Sequence, residues 1–380
     1  MSGRFIIFCA GASSGSVPAG HVYGYLVNVP ESGHNLQAIA QTTKFFRSLP
    51  PGTLIQLDSG GFQLYLAEYG KVRKTVIFAP NNKSIYFNSN INLTPQHVIA
   101  TVRHLMPYVF IMVALDMPVP RASGKARREI LFMKSNTFNV RCAREIAALR
   151  ESHKIPVQLF IPCQTYDLSQ FEYFIKELGD IRYDGFSLPT RIFNTKKITV
   201  FILKFIKMGV RQFHVLGTTR FSVLALLNYV ARNYFDFVSV DATSWRKFAE
   251  KQVYLNPFTL IGRRLHDKAI LVKNDVVNCL CPFCSGMSFG KIKNLPNPDK
   301  TRFLMSHNFW VLQQASDEFY QHAETPLMLR NFMLSKVGRK KENDIALVYR
   351  CITTIDAAIN ILSDDLIRII EKDLCGAELK

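Results

Sequence analysis

The sequence predicts an α/β fold, a (β/α)8 TIM barrel with insertions and a C-terminal structural zinc-binding subdomain. Two observations predict the barrel: apolar, strand-like runs that end in a polar residue or glycine, and helical patterns between them. The runs lack the alternation of half-exposed strands, as expected of parallel strands buried on both faces. From Val157 onward the strand starts recur every ~25 to 28 residues, which suits a strand–helix unit. A doubly wound sheet is the alternative.

The predicted barrel strands are short and rich in Val, Ile, Leu and Phe. They are Leu54–Leu57, Val109–Leu115, Val157–Pro162, Gly185–Ser187, Gln212–Leu216 and Phe237–Val240. The predicted helices between them are Gln96–Leu105, Lys134–Ser152, Leu168–Leu178, Lys196–Met208 and Phe221–Arg232. We interpret the short apolar run Phe5–Cys9 as a strand and not as a signal peptide.

Two regions depart from the strand–helix pattern. Residues 59–92 predict a hairpin insertion, with arms Thr75–Ala79 and Ser84–Phe87, after the strand at Leu54–Leu57, which we take as the first barrel strand. We expect a catalytic barrel over residues 1–275 and a zinc-binding subdomain with C-terminal helices over residues 276–380. The later elements are predicted as strands at Tyr254–Thr259 and Lys268–Val272 and as helices at Phe303–Glu324 and Thr353–Glu371.

The composition indicates a folded, basic protein. Hydrophobic residues make up 48% of the 380 residues, which excludes a disordered chain. Lys and Arg number 47 against 29 Asp and Glu, a net charge of +18 that favours a polyanionic partner such as nucleic acid. No apolar run reaches the ~18 residues of a membrane helix, so we expect no membrane association. The scattered cysteines do not form a disulfide framework, and we expect a reducing, cytoplasmic setting.

A cluster of cysteines predicts a metal site. Cys279, Cys281 and Cys284 form a C-x-C-x-x-C pattern, and thiolates at this spacing can converge on one ion. His307, at the start of a predicted helix, is the best candidate for the fourth ligand. A closed Cys3His site leaves no open position for water, so we predict one structural Zn²⁺ per chain.

Carboxylates follow three of the predicted strands. Asp58 opens the motif Asp-Ser-Gly-Gly-Phe-Gln, and Asp116 and Asp241 take the equivalent strand-end position elsewhere. In a barrel the carboxyl ends of the strands carry the chemistry. Two such carboxylates suit glycosyl transfer, in which one attacks the anomeric carbon and the other moves the proton of the base.

Together these residues resemble the guanine transglycosylase superfamily of queuine tRNA-ribosyltransferase-like enzymes, which exchange guanine in nucleic acid for a 7-deazaguanine. The resemblance covers Gly52 to Trp310, and Asp58–Gln63 is similar to the family's general acid/base motif. The cysteine pattern with its later His-Asn is similar to the family's zinc site. The resemblance implies a base-binding set made of Ser59, Phe62, Asp116, Gln164, Ser187, Leu188, Leu216 and Gly217.

The nucleophile has two candidates. Phe235-Asp236 looks like the family's Phe-Asp pair, whereas Asp241 ends its strand and Asp236 begins it. Because only a strand end faces the site, we choose Asp241 as the nucleophile and Asp58 as the general acid/base.

The resemblance is closest to the branch that inserts 7-deazaguanines into DNA (DpdA-type). Where bacterial tRNA enzymes carry Pro-Thr-Arg after the nucleophile, this chain has Ala242-Thr-Ser-Trp-Arg-Lys-Phe248. The RNA-binding C-terminal domain of the archaeal tRNA branch has no evident counterpart either. DNA is therefore the favoured substrate and tRNA the alternative, with a free 7-deazaguanine (preQ0- or preQ1-like) as co-substrate.

A non-catalytic nucleic-acid-binding subunit is a second alternative, and the presence of both Asp58 and Asp241 argues against it. Basic residues near two of the strand ends can neutralise phosphates without reading sequence. These residues are Arg121, Lys125, Arg127, Arg128, Arg246 and Lys247.

Overall fold

Eight parallel strands close into a barrel, which confirms the predicted fold class. In this computed structural model the strand order around the barrel is β1, β10, β9, β8, β7, β6, β3, β2. The structure describes residues 3–10, 22–29, 36–61, 76–78, 85–87, 93–190, 192–266, 276, 278–337 and 341–376.

The strands and helices alternate along most of the chain. The strands are β1 Arg4–Ala10, β2 Gly24–Asn28, β3 Leu54–Asp58, β4 Val76–Phe78, β5 Ile85–Phe87, β6 Val109–Val113, β7 Gln158–Pro162, β8 Gly185–Pro189, β9 Gln212–Leu216, β10 Phe237–Ala242, β11 Val253–Leu255 and β12 Gly262–Arg264. The helices are α1 Leu36–Arg47, α2 Pro95–Leu105, α3 Lys125–Ser152, α4 Leu168–Leu178, α5 Thr195–Lys207, α6 Phe221–Asn233, α7 Ser244–Glu250, α8 Phe289–Asn294, α9 Asn297–Gln321, α10 Pro326–Val337, α11 Glu342–Ala358 and α12 Asp364–Cys375.

The chain divides into two compact units. One comprises residues 1–23 and 217–357, and the other residues 24–216 and 358–380. The second unit contains the parallel strands β2, β3, β6, β7, β8 and β9, joined pairwise in that order. The first unit contains the parallel pair β1 and β10, the short antiparallel pair β11 and β12, and helices α6 to α11.

Local sequence signals fix several helix ends. Thr94, Asp167 and Asn194 cap the first turns of α2, α4 and α5 by accepting a backbone N–H with their side chains. After α4 the chain leaves the helix at Gly179, whose φ of 66° is easy for glycine alone. The barrel helices therefore begin where polar capping residues follow the strands.

An aromatic layer joins the strands of the second unit to their helices. Phe186 of β8 stacks on Phe205 of α5 at 5.1 Å and meets Phe171 of α4 edge-on at 5.6 Å. Phe213 of β9 lies 5.8 Å from the same Phe205. Because strand side chains alternate, Ser187 and His214, paired in register, face the barrel interior.

Three sequence predictions need correction. Two barrel strands, β1 and β2, precede Leu54–Asp58, so that strand is the third along the chain. The strand expected at Tyr254–Thr259 ends at Leu255, because the Asn256 side chain accepts the N–H groups of Phe258 and Thr259 and turns the chain.

The helix expected over Thr353–Glu371 is two helices. A 3-10 turn, Ile359–Ile361, follows α11, and Ser363 then caps α12 by accepting the N–H of Leu366 at 3.1 Å. The Ser-Asp-Asp sequence is a helix-start signal that outweighs the continuous apolar pattern.

Other predictions fall partly or wholly outside the described residues. The hairpin arms are observed as the antiparallel pair β4 and β5, whereas the predicted strand Lys268–Val272 lies outside the described part of the chain. None of the helices in that described part has the length and hydropathy that a bilayer span requires.

Candidate functional site

The end of β3 delivers Asp58 and Ser59 together. Asp58 is the last residue of the strand, and the buried hydroxyl of Ser59 donates to Oδ1 of Asp116 at 3.5 Å. Gly60 follows with φ at +83°, which a residue with a side chain adopts only with strain. At Gly61 an added Cβ would lie 2.2 Å from Asp116 Oδ1 and 2.6 Å from its carbonyl oxygen. The two glycines thus let the backbone turn tightly against the Asp116 carboxylate.

Asp116 is held from a second direction by the chain that follows β7. The side-chain amide of Gln164 donates to Asp116 Oδ2 at 2.6 Å, and its carbonyl accepts the backbone N–H of Val119 at 3.2 Å. Both side chains are buried, with Asp116 5% and Gln164 4% exposed. Because both ends of the amide are engaged, the orientation of Gln164 is fixed.

Sequence reasoning missed Asn139 of α3. Its amide accepts the backbone N–H of Met117 at 2.6 Å and donates to the Met117 carbonyl at 3.2 Å. This two-point contact fixes the chain directly after Asp116. The sequence offered no clear signal for this role, because Asn139 contacts Met117 across 22 residues and neighbouring polar residues such as Asn136 are buried on the same helix.

The interior of the second unit also holds Gln56, a polar residue that sequence reasoning missed, beside the expected Ser187. Gln56 lies two residues before Asp58 and therefore on the same side of β3, and its side chain is fully buried. Neither amide atom of Gln56 nor the hydroxyl of Ser187 has a protein partner among the described residues. Barrel interiors are usually packed with Val, Ile and Leu, so this interior is unusually polar.

Other residues of the expected base-binding set are buried or make backbone contacts with neighbouring strand ends. Leu188 is fully buried, and the Leu216 carbonyl accepts both the N–H and the hydroxyl of Thr190, at 3.1 and 2.7 Å. The Ser187 carbonyl accepts the N–H of Cys163 at 2.8 Å. Phe62 lies outside the described residues.

Asp241 lies at the end of β10, as the sequence predicts, whereas Asp236 precedes the strand. Its Oδ1 accepts the backbone N–H of Gly217 at 2.8 Å, and only 7% of the residue is exposed. Gly217 has a φ of +78°, a conformation that directs this N–H without the strain a side chain would add. Trp245, three residues after the chain leaves β10, is fully buried against Phe309 at 5.9 Å and is a packing residue.

The four predicted metal ligands converge in the first unit. The ligand atoms of Cys279, Cys281, Cys284 and His307 all lie within 4.8 Å of one another, and all four residues are buried. The three sulfurs lie 3.8, 3.3 and 3.5 Å from His307 Nδ1. Tetrahedral Zn²⁺ with ordinary Zn–S and Zn–N bonds places such atoms about 3.5 Å apart.

The surroundings of His307 select its ligating nitrogen. Nε2 lies 2.8 Å from the Leu255 carbonyl, which accepts a proton only, so Nε2 carries the hydrogen and Nδ1 presents its lone pair to the thiols. Tyr254 stacks on the imidazole with ring centroids 3.9 Å apart. Hydrogen bonds from Cys281 and Cys284 lower the pKa of Cys279 far below its usual range. The cluster fits a metal ion, and its donor set is that of structural zinc.

The predicted phosphate-contacting residues are mostly exposed. Arg121, Lys125 and Arg127 are exposed, and Arg128 donates to the Ala122 carbonyl at 3.1 Å. Arg246 forms an ion pair of 2.8 Å with Glu250 one turn further along α7, and Lys247 is exposed beside it.

The fold and these geometries define a class: a (β/α)8 barrel with carboxylates at its strand ends and, later in the chain, a Cys3His cluster that could hold a metal ion. Residues 25–324 match the family described as TGT, queuine tRNA-ribosyltransferase. The chain belongs to this family, as the sequence motifs predict.

Individual proteins with similar sequences belong to the same class of enzyme. The chain is 25% identical over 269 residues to the tRNA-guanine(15) transglycosylase of Pyrococcus furiosus, covering 69% of this chain and 38% of that protein. It is 25% identical over 276 residues to the enzyme of the same name from Pyrococcus abyssi, covering 70% and 40%. The Thermococcus kodakarensis protein of that name is 23% identical over 267 residues. The chain therefore matches about two fifths of the length of these relatives.

Proposed function

We propose that this protein is a base-exchanging guanine transglycosylase, a pentosyltransferase that replaces guanine in a polynucleotide by a 7-deazaguanine. The observation that carries the proposal is the Asp116 carboxylate held by Gln164 and Ser59. The pairing edge of guanine offers two neighbouring N–H donors and a carbonyl acceptor. A fixed carboxylate matches the donors and the Gln164 amide matches the carbonyl. A base that lacks these N–H groups would displace water from the buried Asp116 carboxylate without replacing its hydrogen bonds, which is a strong basis for rejection.

The two remaining carboxylates supply the chemistry. A carboxylate oxygen of Asp241 forms a bond to C1′ of the target nucleotide while the C1′–N9 bond to guanine breaks. Asp58 gives its proton to the departing guanine and then takes the N9 proton of the incoming 7-deazaguanine. The incoming N9 displaces Asp241 from C1′. The cycle returns both carboxylates to their starting states, and two inversions at C1′ retain the sugar configuration.

The Gly217 contact suits Asp241 to this role. The N–H of Gly217 donates to Oδ1 and holds the carboxylate in one orientation at the strand end. A carboxylate that accepts a hydrogen bond also leaves more easily from the glycosyl intermediate, because the N–H stabilises the charge that returns to it.

We favour DNA as the substrate. The support is the stretch after Asp241, which replaces the Pro-Thr-Arg of bacterial tRNA enzymes and forms the helix α7 with Trp245 buried. A flipped-out nucleotide is required on duplex DNA. tRNA is the second candidate, favoured by the relatives named tRNA-guanine(15) transglycosylase.

The test measures incorporation of labelled guanine into duplex DNA and into tRNA in parallel. The wild-type protein is expected to label DNA, Asp241→Asn to label neither polymer, and Asp236→Asn to behave as wild type. Expression with a 7-deazaguanine supply, followed by mass spectrometry of nucleosides from DNA and tRNA separately, identifies the polymer modified in cells. Modification confined to tRNA would show that tRNA, and not DNA, is the substrate. Guanine exchange by Asp241→Asn would refute the mechanism.

We further propose that Cys279, Cys281, Cys284 and His307 hold one structural Zn²⁺ per chain. The support is the buried tetrad with sulfur–nitrogen spacings near those of a tetrahedral site. No step of the exchange involves this ion.

A further inference from the structure

Helix α3 is much longer than the helices beside it. It spans 28 residues, about 42 Å at the usual rise, whereas α2 and α4 have 11 residues each. Its first buried residue is Phe132, and Lys125–Leu131 contains none. These seven residues, which we call the α3 arm, form almost two helical turns without a buried side chain.

The charge of the α3 arm opposes what helix stability favours. Lys125, Arg127 and Arg128 lie in or beside the first turn, which contains no acidic residue. The amino end of a helix is the positive end of its dipole, so cations there are unfavourable. Gly124 supplies no side-chain cap. The one acid of the arm, Glu129, accepts the Gln170 amide at 3.0 Å. A bound anion would offset this local repulsion.

An apolar patch lies among these cations. Ile130 is 69% exposed, and Met133 and Tyr173 are each 40% exposed. Ile130 lies one turn from Arg127 and one turn from Lys134 on the same helix face. Tyr173 of α4 joins the patch through its edge-on contact with Phe132 at 6.0 Å.

The α3 arm begins beside the expected base pocket. Only residues 117–124 separate it from Asp116. Asn139 clamps Met117 in this connection, and Gln164 binds the N–H of Val119. The Pro120 carbonyl accepts the Tyr166 hydroxyl. The base of the arm is therefore tied to the residues that hold Asp116.

We propose that the α3 arm docks the polynucleotide strand beside the target guanine. Ile130, Met133 and Tyr173 pack against the nucleobases left unstacked when the guanine is extruded, and Lys125, Arg127 and Lys134 neutralise the flanking phosphates. The inference rests on the proposed function. Charge complementarity selects this occupant, because an apolar centre rimmed by cations matches bases rimmed by phosphates.

The test compares two exposed isoleucines of the same unit. Ile130→Asp is expected to weaken binding of a fluorescein-labelled, guanine-containing duplex DNA by ~10-fold or more. Ile369→Asp, on α12 at 65% exposure, is the matched control and should bind as wild type. Ile130→Leu should keep most of the affinity. A 2-aminopurine next to the target should lose its fluorescence change on binding only with Ile130→Asp.

A second experiment measures how the affinity for the polynucleotide depends on salt concentration. Arg127→Gln should lower the slope of log affinity against log salt by about 1, while Arg182→Gln, before β8, should leave it unchanged. Repeating the titrations with tRNA identifies which polymer the arm prefers. Equal binding by wild type and Ile130→Asp on both polymers overturns the proposal. So does an Ile130-dependent affinity for phosphatidylserine vesicles without one for either polymer.

The outcome also separates this inference from the proposed function. If the wild type exchanges guanine and Ile130→Asp binds the polynucleotide as wild type does, the docking role is contradicted and the proposed function stands. A loss of polynucleotide binding in Ile130→Asp, with no exchange activity in wild type, supports the docking role and removes the proposed function.

Discussion

The amide of Gln164 donates a 2.6 Å hydrogen bond to Oδ2 of Asp116, between the ends of the neighbouring strands β7 and β6. The same amide accepts the N–H of Val119, so one side chain links the carboxylate to the chain that follows it. This hydrogen bond fixes the position of the Asp116 carboxylate and also offsets the cost of burying its charge. Either group would be costly to bury without a partner.

Gln164→Leu should raise the KM for the free base by about 10- to 100-fold, because it removes a hydrogen bond to a buried charge. Gln164→Glu should move the optimum of exchange to lower pH, because the introduced carboxyl can donate to Asp116 as the amide does only when it is protonated. The measurement is steady-state exchange of labelled base as a function of pH. An unchanged KM in Gln164→Leu would remove Gln164 from base recognition.

Gly61→Ala should abolish most exchange while the protein stays folded. Its Cβ would lie 2.2 Å from Asp116 Oδ1, closer than any tolerated contact, so the carboxylate must move. Gly290→Ala is the control, since its Cβ would meet nothing closer than 4.0 Å in a helix where Ala is favourable. Exchange rates with circular dichroism melting curves distinguish a local displacement from unfolding. Wild-type kinetics in Gly61→Ala would contradict the close approach.

Metal analysis of the purified protein should give one zinc per chain. Cys284→Ser should lose the metal and lower the melting temperature, because a structural site contributes its binding free energy to folding. Cys351→Ala removes an equally buried thiol outside the cluster and should keep the metal. A zinc-loaded Cys284→Ser protein with unchanged stability would rule this tetrad out.

Acid should loosen the C-terminal helix. Hydrogen bonds from the ammonium groups of Lys204 and Lys207 lower the pKa of Asp364 to about 2. A carboxyl with a lowered pKa stabilises the fold above its unfolded value near 4 and loses that contribution as pH falls toward 2. These ion pairs are partly exposed, so we expect them to contribute about 0.5–1 kcal/mol to the free energy of unfolding.

Hydrogen exchange of the α12 amides between pH 5 and about 2.5 measures this loss. The protection of these amides should decrease over that pH range, because Asp364 becomes protonated there. Asp364→Asn should remove the pH dependence. Asp365→Asn shares the same first turn and helix dipole and should keep it. Equal pH profiles for the two variants would show that the dipole, and not Lys204, sets the effect.

Much of the fold could be predicted because its signals are local. Parallel strands that are buried on both faces appear in the sequence as continuous apolar runs. The residues at the carboxyl ends of these strands lie on one face of a barrel, and this rule located Asp58, Asp116 and Asp241. β2 was missed because five residues, Gly24–Asn28, carry too little pattern to distinguish a strand from a connection.

The sequence by itself determined the barrel, the strand-end carboxylates and the members of the Cys3His cluster, since these follow from periodicity and from recognisable short motifs. The tertiary structure alone decided that Asn139 clamps Met117, that Gln56 is buried inside the barrel and that the first seven residues of α3 have no buried side chain. These features depend on contacts, or on missing contacts, between segments far apart in the chain. Only packing determines which polar side chains are enclosed and which helical turns remain in solvent.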